Sequence, residues 1–140
     1  MNLSSLRISL LVGVAGAAGA VSRYLVSLLG VHSASVFPWP TLTVNVIGCF
    51  LLAFLFFSER LTGRWSEQVR IALSAGFLGS FTTFSAWSVE TVMLWKQELQ
   101  WMAGAYLLLS IGAGWFMAGL GYWSAGRDNV RYRQHREVES

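Results

Sequence analysis

The sequence predicts an all-α integral membrane protein with four transmembrane helices, the third of them broken. Three observations carry this reading: charges are scarce, apolar residues fall in long blocks, and one block contains glycine and hydroxyl residues at the wrong depth. Of 140 residues, 54% are hydrophobic and 12% charged, whereas soluble domains carry about 25% charged residues. So few charges cannot coat a soluble globule, and the mean hydropathy is +0.51. A helix needs about 20 apolar residues to cross a bilayer, so a chain of 140 residues is expected to hold four spans and little else. Barrel strands would alternate apolar and polar residues over about 10 positions, and these blocks do not alternate.

The first span is expected over residues 8–29. Its small residues Gly13, Gly16, Ala17, Gly19 and Ala20 let helix backbones approach closely in lipid. The apolar run is too long for a signal-peptide core and is read as a mature span. Pro38 and Pro40 mark the entry to the second span, over 41–58. A polar loop over 59–67 leads to the third segment, 69–95, and a turn over 96–100 to the fourth span, 101–123. Gly104, Gly112, Gly114, Gly119 and Gly121 punctuate that last span. The chain thus divides into a four-helix transmembrane domain, 1–125, and a charged cytoplasmic tail, 126–140, expected to be mobile. Trp39, Trp65, Trp95, Trp101 and Trp123 fall near span ends, where indoles anchor at the membrane interface.

Topology follows from counting cations. Arg7, Arg60, Arg64, Arg70, Arg127, Arg131, Arg133 and Arg136 all fall on one side if the spans number four, and only Lys96 falls on the other. The positive-inside rule places that side, with both termini, in the cytoplasm; the expected location is the cell inner (plasma) membrane. The same rule accounts for the net charge of +3 without invoking nucleic acid. Cys49 is the only cysteine, which excludes an intrachain disulfide and a Cys-based metal site. His32 lies in a loop and His135 in the tail, and no carboxylate pair shares a span. A membrane enzyme needs its acid, base or metal ligands grouped in a cavity or at the interface. The sequence offers no such group, and no enzymatic activity is expected.

Polar residues inside spans are costly and therefore informative. Arg23, near the end of the first span, is either a snorkelling arginine or a vestibule charge that attracts anions. Asn45, early in the second span, either joins helices through its amide or offers its NH2 to a dehydrated anion. The third segment carries Ser80, Thr82, Thr83, Ser85 and Ser88 near the bilayer midplane, after Gly79. Glycine before a hydroxyl-rich, β-branched run makes a weak helix and marks a break at Gly79. Carbonyls freed there can hold a small cation, and the following half-helix N-terminus favours anions. Phe81, Phe84 and Trp87 recur at spacing three and share a face if the segment is helical. Their ring edges are electropositive. Glu90 is expected to make a structural hydrogen bond, and Tyr106 and Ser110 share a face of the fourth span.

Gly16-Ala-Ala-Gly-Ala-Val-Ser-Arg-Tyr24, Thr41-Leu-Thr-Val-Asn-Val-Ile-Gly48 and Gly76-Phe-Leu-Gly-Ser-Phe-Thr-Thr-Phe-Ser-Ala-Trp-Ser88 resemble the signature segments of the Fluc/CrcB fluoride channels. The resemblance covers nearly the whole chain. It implies an antiparallel, dual-topology homodimer with two fluoride pores and a structural sodium ion at the dimer centre. By motif position it implies that Asn45, Phe84, Ser85, Trp87, Ser88, Tyr106 and Ser110 line the fluoride pathway, with Arg23 in the vestibule. Gly79 and Thr82 would give backbone carbonyls to sodium. Trp87 departs from the family by replacing a phenylalanine, and Gly114 stands where the hydroxyl track after Ser110 continues.

The resemblance thus implies passive fluoride export that relieves fluoride toxicity. A proton-coupled exporter of organic cations is the alternative, but such exporters rely on a carboxylate in the first span, and the first acidic residue here is Glu59. A purely structural membrane subunit is a third reading. The arginine bias also stands against equal insertion in both directions, so an inverted partner chain is an alternative to a homodimer.

Overall fold

The computed structural model describes residues 3–31 and 35–138, so His32 lies outside the described residues. Those residues form helices and short turns, with no strand among them. Helix α1 is Leu3–Val31, α2 is Trp39–Phe57 and α3 is Glu59–Arg64. Helix α4, Glu67–Ile71, runs into a wide π-helical turn, Ala72–Leu78, and then α5, Gly79–Phe81. Helix α6 is Phe84–Lys96 and α7 is Gln100–Val138.

Among the described residues, three stretches are long and apolar enough to cross a membrane: Ser5–Gly30, Trp39–Phe57 and Gln100–Tyr132. The third segment, expected over 69–95 with a break at Gly79, forms two halves that are each shorter than a span, because the chain is extended at Thr82 and Thr83. The outer faces of the long helices are apolar: Val14, Leu29, Leu108 and Trp115 are exposed, Trp115 by 83%. Such a surface fits lipid, and the chain is a multi-pass membrane protein.

Helix α1 packs along the π turn and α5, and α2 packs along α7. Small residues make both approaches possible. A Cβ on Gly19 would run into the Phe77 backbone, and one on Gly121 into the Phe50 carbonyl. Gly13, Gly104, Gly112 and Gly119 face open space, so only part of the expected glycine pattern serves contacts within the chain. Pro40 sits in the first turn of α2, where its missing N–H leaves no helical bond unmade.

Two boundaries differ from expectation. The loop over 59–67 contains α3, whose first turn is capped by Ser58 Oγ accepting from the Leu61 amide at 3.4 Å. The helix that carries the fourth span runs on past 123, and α7 crosses the 125/126 boundary without interruption. Its extension is anchored. Asp128 accepts from Ser58 Oγ at 3.2 Å and pairs with Arg60 at 3.4 Å. Asn129 accepts from the Glu59 amide at 2.7 Å and donates to the Phe57 carbonyl at 3.0 Å. One asparagine thus serves both the end of α2 and the start of α3, whose backbone groups lack partners within their own helices.

Candidate functional site

The interruption in the third segment organises the site. Consecutive threonines are poor helix formers because their branched side chains crowd the preceding turn. Here each hydroxyl supports the interruption. Thr82 Oγ1 donates back to the Leu78 carbonyl at 2.9 Å, and Thr83 Oγ1 caps α6 by accepting from the Ala86 amide at 3.1 Å. Backbone angles at Thr82 (φ −82°, ψ 160°) and Thr83 (φ −151°, ψ 121°) are extended. Gly79 is helical, with φ −63° and ψ −31°, so the interruption lies at Thr82 and Thr83 and not at the glycine. The physical reason is that two side-chain acceptors replace the helical bonds after Phe81, whereas Gly79 keeps its own helical amide bonds.

Asn45 of α2 holds the extended stretch at Thr83. Its Oδ1 accepts from the Thr83 amide at 2.8 Å and its Nδ2 donates to the Thr83 carbonyl at 3.0 Å. Of the two readings for Asn45, helix joining is therefore realised, and one of its two amide hydrogens is committed to it. Gly48, one turn on, admits the Thr82 methyl, which a Cβ at that position would strike.

The same bonds set the fate of the carbonyls. The Thr83 amide would close the next helical turn on Gly79 but is turned to Asn45. The Thr82 carbonyl stands outside both helices, and the Ala86 amide beyond it is taken by the Thr83 hydroxyl. The Ser80 carbonyl is occupied, accepting from Arg23 Nε at 3.1 Å. The Gly79 and Thr82 carbonyls thus do not receive the Thr83 and Ala86 amides that a continuous helix would bring to them. No trio of His, Cys, Asp or Glu side chains converges on a metal site among the described residues.

A cavity of about 410 Å³ opens beside the interruption, lined in part by Asn45, Gly79, Thr82, Phe84, Trp87 and Ser110. Leu52, Leu78 and Ile111 make much of the remaining wall apolar. Six of the residues singled out in the sequence therefore meet in one place. Four do not. Ser85 is exposed and lies 3.2 Å from the Thr83 hydroxyl, and Ser88 Oγ donates to the Phe84 carbonyl at 2.9 Å. Tyr106 is fully buried and donates to Glu90 Oε2 at 2.8 Å. Arg23 borders a separate cavity of about 300 Å³, together with Thr41 and Glu90. Thr83 borders both cavities, so the extended stretch that Asn45 grips lies between them.

The aromatic stripe is divided as well. Phe84 and Trp87 are neighbours, with ring centroids 5.2 Å apart and planes at 39°. Phe81 belongs to α5 and stacks on Phe77 at 5.8 Å, because the interruption separates it from the other two. Glu90 makes the expected structural bonds, accepting from Thr41 Oγ1 at 2.7 Å as well as from Tyr106. Sequence reasoning passed over Thr83 as a site residue. The signal was present: a hydroxyl residue three positions before the Ala86 amide, at the start of a helix, is the pattern of an N-cap.

Residues 10–122 match the family model described as CrcB-like protein, Camphor Resistance (CrcB). The chain belongs to the CrcB family. Among its relatives, the Fluoride-specific ion channel FluC 1 of Desulfitobacterium hafniense (strain Y51) is 42% identical over 104 residues, covering 74% of this chain and 90% of the relative. The Fluoride-specific ion channel FluC 1 of Bacillus cereus (strain ATCC 10987 / NRS 248) is 41% identical over 117 residues, covering 82% and 85%. The Fluoride-specific ion channel FluC of Chlorobium chlorochromatii (strain CaD3) is 42% identical over 116 residues, covering 83% and 90%. The CrcB match takes in all ten singled-out residues, from Arg23 to Ser110, and ends before the anchored extension of α7.

Proposed function

We propose that this protein is a fluoride-selective ion channel that passively exports fluoride and so relieves fluoride toxicity. Fluoride enters cells as the neutral acid, dissociates inside, and leaves as the anion, driven by the negative interior. The observation that carries the reading is the cavity at the interruption, lined by an amide, hydroxyls and two aromatic side chains in an otherwise apolar wall. Relatives named as fluoride-specific ion channels support it. A pore must replace the ion's water with donors that do not trap it. Neutral donors of this kind are individually weak and jointly sufficient. Channel conduction makes and breaks no covalent bond, and the chain is not an enzyme.

The finer assignments belong to the same proposal. The two halves of the third segment together make a fourth crossing of the plasma (inner) membrane. Two copies assemble antiparallel, or one copy pairs with an inverted partner chain, as the arginine bias allows. The pathway residues are Asn45, Phe84, Ser85, Trp87, Ser88, Tyr106 and Ser110, with Arg23 at the vestibule. The carbonyls of Gly79 and Thr82 would hold a structural sodium ion, whose charge would offset their dipoles and join subunits at the centre.

The organic-cation exporter has less support. It needs a carboxylate free to trade a proton, and both Glu90 oxygens already accept hydroxyl hydrogen bonds. Purified protein in liposomes should release fluoride and retain chloride on addition of a potassium ionophore, read with ion-selective electrodes. Absence of fluoride release by the folded protein would overturn the channel reading. Cross-linking of an engineered cysteine pair between copies, with C-terminal accessibility probed on both faces, tests assembly and orientation.

A further inference from the structure

Beyond residue 122, where the CrcB match ends, α7 carries a basic face with no free counter-charge. Asp128 is the only acidic residue among residues 122–132, and it is committed to Ser58 and Arg60 at the α2–α3 corner. Asn129 is held at the same corner, so the rotation of α7 about its axis is fixed. That leaves Tyr122, Trp123, Gly126, Arg127, Val130 and Arg131 exposed on another flank, where they line a groove of about 400 Å³. Trp123, Arg127 and Arg131 are four apart and stack along one face of the helix. The Arg127 guanidinium lies over the Trp123 ring, 4.7 Å from its centroid. Neither Arg127 nor Arg131 makes an ion pair among the described residues.

We infer that this groove binds the phosphate headgroup of an anionic phospholipid. Trp123 stands at the span end, where indoles mark the membrane interface. One turn further, about 6 Å along the axis, Arg127 enters the headgroup layer, which is roughly 5–8 Å thick on each side. Helical side chains lean toward the N-terminus of their helix, so Arg131 reaches back toward the same layer. Stacking on the indole covers one face of the Arg127 guanidinium and leaves its in-plane N–H groups free. Those groups form the planar fork that matches two phosphate oxygens. A second cation one turn away adds attraction to an anionic membrane surface. Gly126 has open space where a side chain would stand, so the groove stays accessible from the lipid side. Tyr122, fixed edge-on against Phe57 at 4.9 Å, and Val130 give the groove an apolar margin. A lipid can use that margin and a free phosphate cannot. The groove shares no residue with the cavity at the interruption and does not depend on which ion crosses the membrane.

The test titrates full-length protein in detergent with phosphatidylglycerol or with phosphatidylcholine of the same acyl chains, and native mass spectrometry reads the first bound lipid. Phosphatidylglycerol should bind saturably and more tightly than phosphatidylcholine. Arg127→Gln and Arg131→Gln should each raise its Kd roughly fivefold. Arg127→Lys, which keeps the charge and loses the fork, should raise it less. Arg7→Gln is the control: it removes an exposed cation from α1, and lipid affinity should match wild type. Arg131→Gln carries the test alone where Arg127→Gln fails to fold. Equal affinity for the two lipids, or an equal loss in Arg7→Gln, overturns the site in favour of general charge attraction. Displacement of the lipid by millimolar inorganic phosphate would assign the groove to a free anion and overturn the lipid.

Discussion

Asn45 pairs with Thr83 as one strand pairs with another: its side-chain carbonyl accepts from the Thr83 amide at 2.8 Å and its amide donates to the Thr83 carbonyl at 3.0 Å. This one side chain substitutes for the helical bonds that the third segment gives up. It sits at the partition between the cavity of Phe84 and Trp87 and the cavity of Arg23 and Glu90.

Removing that grip should therefore damage stability and conduction together. Asn45→Ala leaves the Thr83 N–H and C=O without their partners, at roughly 1–3 kcal/mol for each group. Asn45→Asp keeps the acceptor but turns a second oxygen toward the Thr83 carbonyl. Both variants should melt earlier in detergent than wild type and lose liposome fluoride release, with Asn45→Asp retaining no more activity than Asn45→Ala. A variant with unchanged melting would mean that the interruption holds itself in place.

Backbone proximity between α1 and the π turn makes Gly19 intolerant of any side chain. A Cβ there meets the Phe77 carbonyl, which is backbone and cannot rotate away. Gly19→Ala should cost about 1–3 kcal/mol by overpacking and lower the yield of monodisperse protein on size exclusion. Gly104→Ala is the control. Its Cβ points into open space within the chain, so the folded fraction should match wild type.

At the α2–α3 corner, Asn129 should matter more than Arg60. Arg60 is half exposed and its pair with Asp128 is 3.4 Å long, so Arg60→Ala should cost less than about 1 kcal/mol. Asn129 serves two backbone groups at a helix junction, and losing such a cap costs about 0.5–2 kcal/mol. Thermal unfolding of Asn129→Ala and Arg60→Ala, each at low and high salt, ranks them. Only the Arg60 effect should fade with salt.

The turn between α6 and α7 carries an improvable residue. Glu98 has φ 61°, the left-handed region, where it donates to the Trp95 carbonyl while Leu99 donates to that of Leu94. That pattern closes a helix C-terminus and is usually built on glycine. Glu98→Gly should raise stability by about 0.5–1 kcal/mol, since relief from the side-chain clash exceeds the entropy lost by a freer unfolded chain. A higher melting temperature with unchanged fluoride release is the expected result.

Composition and apolar block length were sufficient for the membrane class, the three continuous spans and the anomalous third segment. The hydrophobic requirement acts on long stretches, so it is written along the chain. The hydroxyl excess lies beside a cavity that Asn45, Phe84, Trp87 and Ser110 line together. Local composition could not place the interruption at Thr82 and Thr83, because it depends on Asn45 competing for the Thr83 amide from 38 residues away. Nor could it separate Ser88, whose hydroxyl turns back to its own helix, from Ser110, whose hydroxyl does not. Anchoring of α7 beyond residue 125 was equally hidden, since charges that look like a solvated tail become caps only when α2 ends beside them. The sequence by itself determined where this chain meets lipid. Which polar groups are satisfied and which are left without a partner was decided by tertiary structure, because a hydrogen bond requires two partners that only folding brings within reach.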